Sequence, residues 1–224
     1  MILIVIGKDC VGKTYFRKYV EQHQHIITYE ASDYINEAKK QYNIDSTRRI
    51  LDIFGKDYAA KRICELIEQK AQLKDNIVIS GFRTLSEIDF MIDKVGKENV
   101  KIVEVITNNL FCYIRNITRN RTDRQISFTK FNKRQKEDAE LGIYEIRKNY
   151  RITRIENNST RKKFENLIDK YILQLFNQNT MKTNEFRKRI KVKTNDMMDD
   201  IEKNSKNSIK DSSKDSSKDI DIEI

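Results

Sequence analysis

Eight residues near the start of the chain have the spacing of a polyphosphate-binding loop. Gly7-Lys8-Asp9-Cys10-Val11-Gly12-Lys13-Thr14 fits the pattern G-x-x-x-x-G-K-[ST] at every fixed position. The two glycines leave room for backbone N–H groups to surround phosphates, Lys13 can contact the β- and γ-phosphates, and the Thr14 hydroxyl can bind Mg²⁺. The loop therefore predicts ATP and Mg²⁺ as cofactors, and Gly7 to Thr14 as the segment that binds them.

The residues on either side of this loop predict the elements that must position it. The apolar run 1–6 is typical of a buried strand, and 15–20 continues as a helix with Phe16, Tyr19 and Val20 at helical spacing. A helix that begins at the loop points its positive end at a bound anion. The strand, loop and helix together favour phosphate binding over a chance match of the motif.

The rest of the chain alternates between short apolar runs and amphipathic segments. The apolar runs predict further strands at 25–29, 76–80, 101–107 and 151–157, with helices between them. We expect Ser32 or Asp33 to cap the second helix, and Gly142 to end a polar helix that starts near Ser127. The pattern predicts an α/β P-loop fold, a three-layer structure whose five-stranded parallel sheet has the first strand at its centre.

Composition limits the class of protein and its compartment. The 224 residues include no proline and six glycines, with a net charge of +10. No stretch approaches the ~18 consecutive apolar residues of a membrane span, and the apolar start lacks the basic region of a signal peptide. Cys10, Cys64 and Cys112 show no metal-ligand spacing and are typical of reduced thiols. We therefore expect a cytoplasmic protein with no membrane partner.

The predicted domain ends near residue 178. Residues 179–224 hold eleven Lys and Arg against ten Asp and Glu, so the basic excess lies in residues 1–178. The Lys-Asp-Ser-Ser repeat at 210–219 cannot bury enough apolar surface to fold by itself, which predicts a flexible, disordered tail over 179–224. A small helical lid is expected at about 119–142.

Several of these motifs together resemble a known family. They are the P-loop, the stretch Ile79-Ser80-Gly81-Phe82-Arg83, the arginines Arg115, Arg119 and Arg121, and the late stretch Ile155-Glu156-Asn157-Asn158-Ser159-Thr160. They resemble the nucleoside-monophosphate-kinase-like P-loop kinases. The likeness is greatest to adenylate-kinase-like proteins related to dephospho-CoA kinase, and more distant to phage-type deoxynucleoside monophosphate kinases. It extends over residues 1–175.

The resemblance implies an ATP-dependent, Mg²⁺-requiring phosphotransferase that acts on a small phosphate-bearing acceptor. The expected acceptor is a nucleoside or deoxynucleoside monophosphate, with dephospho-CoA as the second choice. On the acceptor side, the family pattern places Asp33 at the start of a helix that helps hold the acceptor, and Arg83 on the acceptor's phosphate. In the lid, Arg119 would gather charge around the transferred phosphoryl group, and Arg121 would lie next to the substrate.

The resemblance also implies residues that contact the nucleotide. Arg115 would lie in the lid region beside ATP, while Asn157 and Asn158 would line the adenine. Phosphoryl transfer depends mainly on positioning and charge neutralisation, so one lysine, Mg²⁺ and several guanidinium groups are the equipment it needs.

The chain departs from the family pattern at the end of the third strand. The family has Asp-Gly there, whereas this chain has Ser80-Gly81, so a carboxylate near Mg²⁺ is missing. Asp9 or Asp33 is expected to replace it. If neither does, the chain would be a slow kinase or a nucleotide-dependent module that binds nucleic acid or protein through its basic surface.

Overall fold

A parallel five-stranded sheet forms the centre of the protein. The computed structural model describes residues 1–70, 76–119 and 127–177. The strands are β1 (Ile2–Ile6), β2 (Ile27–Glu30), β3 (Ile77–Ser80), β4 (Val100–Ile106) and β5 (Thr153–Glu156), in the spatial order β2-β3-β1-β4-β5. The prediction of five strands with β1 at the centre is confirmed.

Helices connect the strands. They are α1 (Lys13–Gln24), α2 (Ala31–Gln41), α3 (Thr47–Phe54), α4 (Tyr58–Lys70), α5 (Leu85–Val95), α6 (Asn109–Thr118), α7 (Phe128–Asp138), α8 (Tyr144–Asn149) and α9 (Arg161–Asn177). A short 3₁₀ helix at Lys97–Asn99 precedes β4, and a π-helical turn at Ala139–Ile143 joins α7 to α8. Within the described ranges, no helix has the length and apolar character that crossing a membrane requires.

The sheet is covered on both faces, which explains the unbroken apolar sequence of β1. Ile2, Ile4 and Ile6 pack on one face with residues of α2 to α5, whereas Leu3 and Val5 pack on the other with residues of α1, α6, α7 and α9. All five side chains are completely buried. Strands of a parallel sheet with helices on both sides read as continuous apolar runs, and the predicted three-layer arrangement is confirmed.

The start of α2 differs from the prediction. The helix begins at Ala31, directly after β2, and its N-cap residue is Glu30, whose side chain caps no backbone N–H group. Asp33 lies in the first turn and is exposed, so the prediction of Ser32 or Asp33 as the cap is wrong. Because the strand passes into the helix with no intervening turn, both polar residues fall inside the helix.

Gly142 lies at a kink where the helical conformation breaks, which agrees with the predicted helix stop. Its φ of 175° and ψ of −20° are not helical, and α8 begins two residues later. A Cβ atom at this position would lie 2.0 Å from the carbonyl oxygen of Arg83. Glycine is therefore needed because two backbone segments approach closely, and this contact between distant residues is invisible in the local sequence.

Candidate active site

The predicted phosphate loop lies at the carboxyl edge of the sheet, between β1 and α1. Gly7, Cys10 and Gly12 have positive φ angles of 143°, 64° and 113°, and Gly12 is the N-cap of α1. A Cβ atom would lie 2.5 Å from the carbonyl oxygen of Val105 at Gly7, and 2.4 Å from Nδ2 of Asn157 at Gly12. Both glycines are thus required by the backbone. Loops in which residues with positive φ are interspersed in this way direct successive backbone N–H groups to one side and bind anions.

The charged side chain of the motif lies over this loop. The Nζ atom of Lys13 donates hydrogen bonds to the carbonyl oxygens of Gly7 and Lys8, each at 2.7 Å. Thr14 follows in the first turn of α1 with an exposed side chain. The ammonium group is therefore held at the loop instead of extending into solvent, and the threonine hydroxyl is accessible to a ligand.

Three side chains hold the back of the loop through one carbonyl group. The carbonyl oxygen of Val11 accepts from Nδ2 of Asn157 at 2.8 Å, Oγ1 of Thr107 at 3.0 Å and Nη1 of Arg115 at 3.2 Å. Arg115 also donates to the carbonyl oxygens of Cys10 at 3.3 Å and Asn157 at 3.0 Å. Arg115 and Asn157 therefore support the loop backbone, and their predicted contact with ATP stays a prediction. Sequence reasoning missed Thr107, which was read as the end of a strand.

The other predicted nucleotide-side residues lie near the same loop. Arg119 is the C-cap of α6, and its Nη1 atom is 3.8 Å from Sγ of Cys10. Asn158 is exposed, and its Oδ1 atom accepts a hydrogen bond of 2.7 Å from the backbone N–H of Asn108. Their assigned roles remain predictions. Arg121 lies outside the described residues.

Two arginines from separate elements meet at the carboxylate of Asp9. An Nη2 atom of Arg83, which follows β3, is 3.6 Å from Oδ1, and an Nη2 atom of Arg134 in α7 is 3.9 Å from Oδ2. Gln135 also donates to the backbone oxygen of Asp9 at 3.0 Å. The helix α7, which falls in the predicted lid, therefore touches the phosphate loop. Arg134 and Gln135 were missed although Phe131, one turn earlier, lies on the buried face of α7 and could have indicated which side of the helix meets the loop.

The turn that carries Arg83 is fixed by a buried carboxylate. Oε2 of Glu87 accepts from the backbone N–H groups of Arg83 at 2.8 Å and Thr84 at 3.0 Å, and completes a capping box at the start of α5. Burial raises the pKa of Glu87 to about 7, although these hydrogen bonds oppose the shift. Phe82 is buried just before Arg83, so the backbone is anchored on both sides of the exposed guanidinium group.

Glu30 supplies a carboxylate next to Ser80, where the family pattern has an aspartate. The two residues are register partners at the carboxyl ends of β2 and β3, and Oγ of Ser80 donates to Oε2 of Glu30 at 2.6 Å. Nε of Arg17 lies 3.7 Å from the same oxygen. A Cβ atom at Gly81 would lie 2.3 Å from Oε1 of Glu30, so the glycine leaves space for this side chain. Sequence reasoning missed Glu30 because the predicted strand stopped at Tyr29.

Thr14 and Glu30 offer the kind of oxygen ligands that Mg²⁺ prefers in phosphate-transfer sites. The described residues contain no group of three His, Cys, Asp or Glu side chains that could bind a metal by themselves. Mg²⁺ in such sites is held by one or two protein oxygens together with substrate phosphates and water. A hydroxyl at Thr14 and a carboxylate at Glu30 fit that requirement.

A second buried carboxylate, that of Glu104, connects α8 to the sheet. Glu104 of β4 accepts two hydrogen bonds from Arg147 of α8, from Nε at 3.0 Å and Nη2 at 2.6 Å. Nε of Arg154 in β5 lies 3.4 Å from the same carboxylate. The hydrogen bonds with Glu104 raise the pKa of Arg147. This cluster fixes α8, and hence the neighbouring turn at Gly142 that contacts Arg83, relative to β4.

Comparison with known sequences identifies relatives but no matching family. No family model matches the chain. A UPF0200 protein from Saccharolobus islandicus is 28% identical over 150 residues, which cover 65% of this chain and 78% of that protein. A UPF0200 protein from Saccharolobus solfataricus is 27% identical over 154 residues, with the same coverage.

Solved structures show which fold the chain shares. Shikimate kinase from Acinetobacter baumannii, in complex with shikimate, has a TM-score of 0.51 at 13% identity, covering 80% of this chain and 94% of that one. Shikimate kinase from Bacteroides thetaiotaomicron has a TM-score of 0.51 at 11% identity, covering 79% and 98%. The chain therefore has the fold of P-loop kinases, as predicted.

Proposed function

We propose that this protein is an ATP-dependent, Mg²⁺-requiring kinase that phosphorylates a small phosphate-bearing acceptor. The observation that carries the proposal is the meeting of Arg83 and Arg134 at Asp9, beside the loop that holds Lys13. Two guanidinium groups from opposite sides of a phosphate loop are what phosphoryl transfer needs, because the reaction depends on positioning and on neutralising charge. The P-loop kinase fold is consistent with this activity.

Each residue has a separate part in the proposal. Lys13 contacts the β- and γ-phosphates and stabilises the charge that develops during transfer, and the Thr14 hydroxyl is a metal ligand. Bound Mg²⁺ would neutralise phosphate charge. Arg119, which contacts the loop at Cys10, would lie beside the transferred phosphoryl group. Arg115 keeps the loop backbone in shape through its contacts with three carbonyl groups.

We assign to Glu30 the role of the aspartate carboxylate that the family has where this chain has Ser80. Its carboxylate binds Ser80 at the carboxyl edge of the sheet, where water molecules around the metal would be ordered. Asp9 instead faces Arg83 and Arg134, and Asp33 is exposed at the start of α2. With Glu30 in this role, the missing aspartate does not by itself favour a slow kinase or a binder without activity.

The acceptor is expected to carry an anionic group that replaces Asp9 between the two arginines. Their distances to Asp9 exceed normal hydrogen-bond lengths, and the side chains of Arg83 and Arg134 are 50% and 41% exposed. Such contacts are weak and easily exchanged. A nucleoside or deoxynucleoside monophosphate is the first choice, with Asp33 on the acceptor side, and dephospho-CoA is the second. Shikimate, the ligand of the structural neighbour, belongs in the same screen.

A module that binds nucleic acid is the alternative, favoured by the net charge of +10. Arg83→Lys and Arg134→Lys separate the two functions because lysine keeps the charge but loses the planar fork. For a kinase, acceptor kcat/KM should fall about ten- to a hundredfold, corresponding to roughly 1.5–3 kcal/mol for a hydrogen bond to a charged group, while ATP affinity changes little.

The control is Arg62→Lys, which changes an exposed arginine paired with Glu65 on α4. It should leave acceptor kinetics unchanged. Nucleic-acid titrations at several salt concentrations complete the test. Unchanged acceptor kcat/KM in Arg83→Lys and Arg134→Lys, together with a salt slope of nucleic-acid binding lowered by about one, would support the binding module. It would reject the kinase role of these arginines.

A further inference from the structure

One side of β5 has no described strand beside it. The N–H group of Asn157 donates to the carbonyl oxygen of Ile106 in β4 at 2.8 Å, which shows the direction of the pairing. Backbone groups in a strand alternate in direction, so those of Arg154 and Glu156 point away from β4. Because β5 is the last strand in the order of the described sheet, these groups form an edge that could pair with another strand.

A groove of about 390 Å³ runs along this edge beside α9. Leu167 lies in it with 43% of its surface exposed, although Phe164 and Ile168 on the same helix are buried. The charged residues that line the groove are Lys163, Lys170 and Glu156, which together carry a net positive charge. The groove therefore combines free backbone groups, an exposed apolar side chain and two lysines, which is a surface suited to an extended, acidic segment.

The opposite face of β5 carries one arginine and one glutamate, Arg154 and Glu156. Ile155 packs in the cluster that contains Phe164 and Ile168 of α9, so its neighbour Arg154 projects from the other face of the strand. The side chain of Arg154 is 57% exposed there. A strand beside β5 would therefore have α9 and Leu167 on one face and a guanidinium group on the other.

One segment of the chain has the matching pattern. Asp219-Ile220-Asp221-Ile222-Glu223-Ile224 alternates acidic residues with isoleucine at the period of a strand. In an extended conformation, the three isoleucines share one face and the three carboxylates share the other. The segment 189–193 also alternates, but its polar residues are basic. The charge of the groove therefore distinguishes between the two segments.

We infer that residues 219–224 bind as an added strand along the free edge of β5 within the same molecule. The isoleucines face α9 and cover Leu167, and the carboxylates face the side of Arg154 in the field of Lys163 and Lys170. This inference does not depend on the proposed kinase activity. It differs from the predicted disordered tail over 179–224 only at residues 219–224.

The connection is long enough. Forty-one residues separate Asn177 from Asp219. A random coil of this length has an r.m.s. span of about 35 Å, whereas Lys163 lies only ~21 Å from Asn177 along α9. Tethering of this kind gives an effective concentration near the millimolar range, so a short strand can bind its own groove without high intrinsic affinity.

A cysteine cross-link tests the position of the segment. Leu167→Cys is combined with Ile222→Cys in one full-length variant, and with Val192→Cys in a control; Cys10, Cys64 and Cys112 are buried and can stay. Position 192 is nearer to α9 along the chain, so tethering alone would favour the control. Under mild oxidation at micromolar protein, we expect the pair with position 222 to form an intramolecular disulfide at least about tenfold faster.

Charge reversal at Lys163 and Lys170 should slow this disulfide. Equal or faster reaction of the control pair, or disulfides that form mainly between two molecules, would overturn the inference.

Hydrogen exchange provides a second test without cysteines. The amides of Arg154 and Glu156 should exchange about tenfold more slowly in the full chain than in a chain shortened after Lys218. Replacing Ile220, Ile222 and Ile224 by asparagine should have the effect of the shortening, whereas replacing Ile190 and Val192 should have none. Identical exchange in the full and shortened chains would contradict the added strand.

Discussion

Gly142→Ala should displace the turn that carries Arg83 and so weaken binding of the proposed acceptor. The new Cβ atom would lie 2.0 Å from the carbonyl oxygen of Arg83 and 3.0 Å from Cα of Thr84. A carbon atom rarely approaches an oxygen within about 3 Å, so the backbones must separate by roughly 1 Å. The hydrogen bonds from Arg83 and Thr84 to Glu87 oppose this movement. Overpacking of this kind destabilises by roughly 1–3 kcal/mol, or about 2–12 °C in Tm.

The assay measures thermal unfolding and acceptor kinetics in the same variant. Gly96→Ala is the matched control, because Gly96 has a positive φ of 88° and follows α5 at the opposite edge of the sheet. Alanine there costs about 1–2 kcal/mol from backbone strain. Both variants should melt earlier, but only Gly142→Ala should raise the acceptor KM by displacing Arg83. Parental Tm and KM in Gly142→Ala would refute the contact between the lid and the Arg83 turn.

Three further changes test separate parts of the molecule. The free energy of unfolding should fall as pH rises from about 4.5 to 7, because burial raises the pKa of Glu87 and the folded state binds its proton more tightly; Glu87→Gln should flatten this slope in denaturant titrations. Arg147→Met should destabilise by about 3 kcal/mol and Arg154→Met by no more than about 1 kcal/mol, since Arg147 makes the bidentate contact with buried Glu104; equal losses in chemical unfolding would contradict this ranking. Lys13→Ala should fold normally yet lower turnover by orders of magnitude, and parental turnover would exclude the assigned role of the loop.

The fold was predictable because its signals are local. Apolar runs predicted all five strands, and the loop motif located the carboxyl end of β1. Arg115 and Arg119 are four residues apart, which is the spacing of one helix face, and both side chains reach the phosphate loop. Features that depend on neighbouring residues in the chain could be read from the sequence.

The missed features depend on contacts between distant segments. Glu30 became visible only when β2 was found to end one residue later than predicted, opposite Ser80. Arg134 lies on a mostly polar helix whose one buried aromatic residue is Phe131, and only tertiary packing shows that Arg134 meets Asp9. Gly142 was predicted as a helix stop, and the helix does break there, but nothing in the local sequence shows that its neighbour across the fold is Arg83.

Transfer of a labelled phosphoryl group tests the central proposal most directly. The full-length protein is incubated with Mg²⁺ and γ-³²P-labelled ATP together with each candidate acceptor: the nucleoside and deoxynucleoside monophosphates, dephospho-CoA and shikimate. The account predicts label in a nucleoside or deoxynucleoside diphosphate, abolished in Lys13→Ala and strongly reduced in Arg83→Lys. Label on shikimate or dephospho-CoA alone would reject the proposed acceptor, and absence of label on every acceptor with a folded, ATP-binding protein would contradict the kinase.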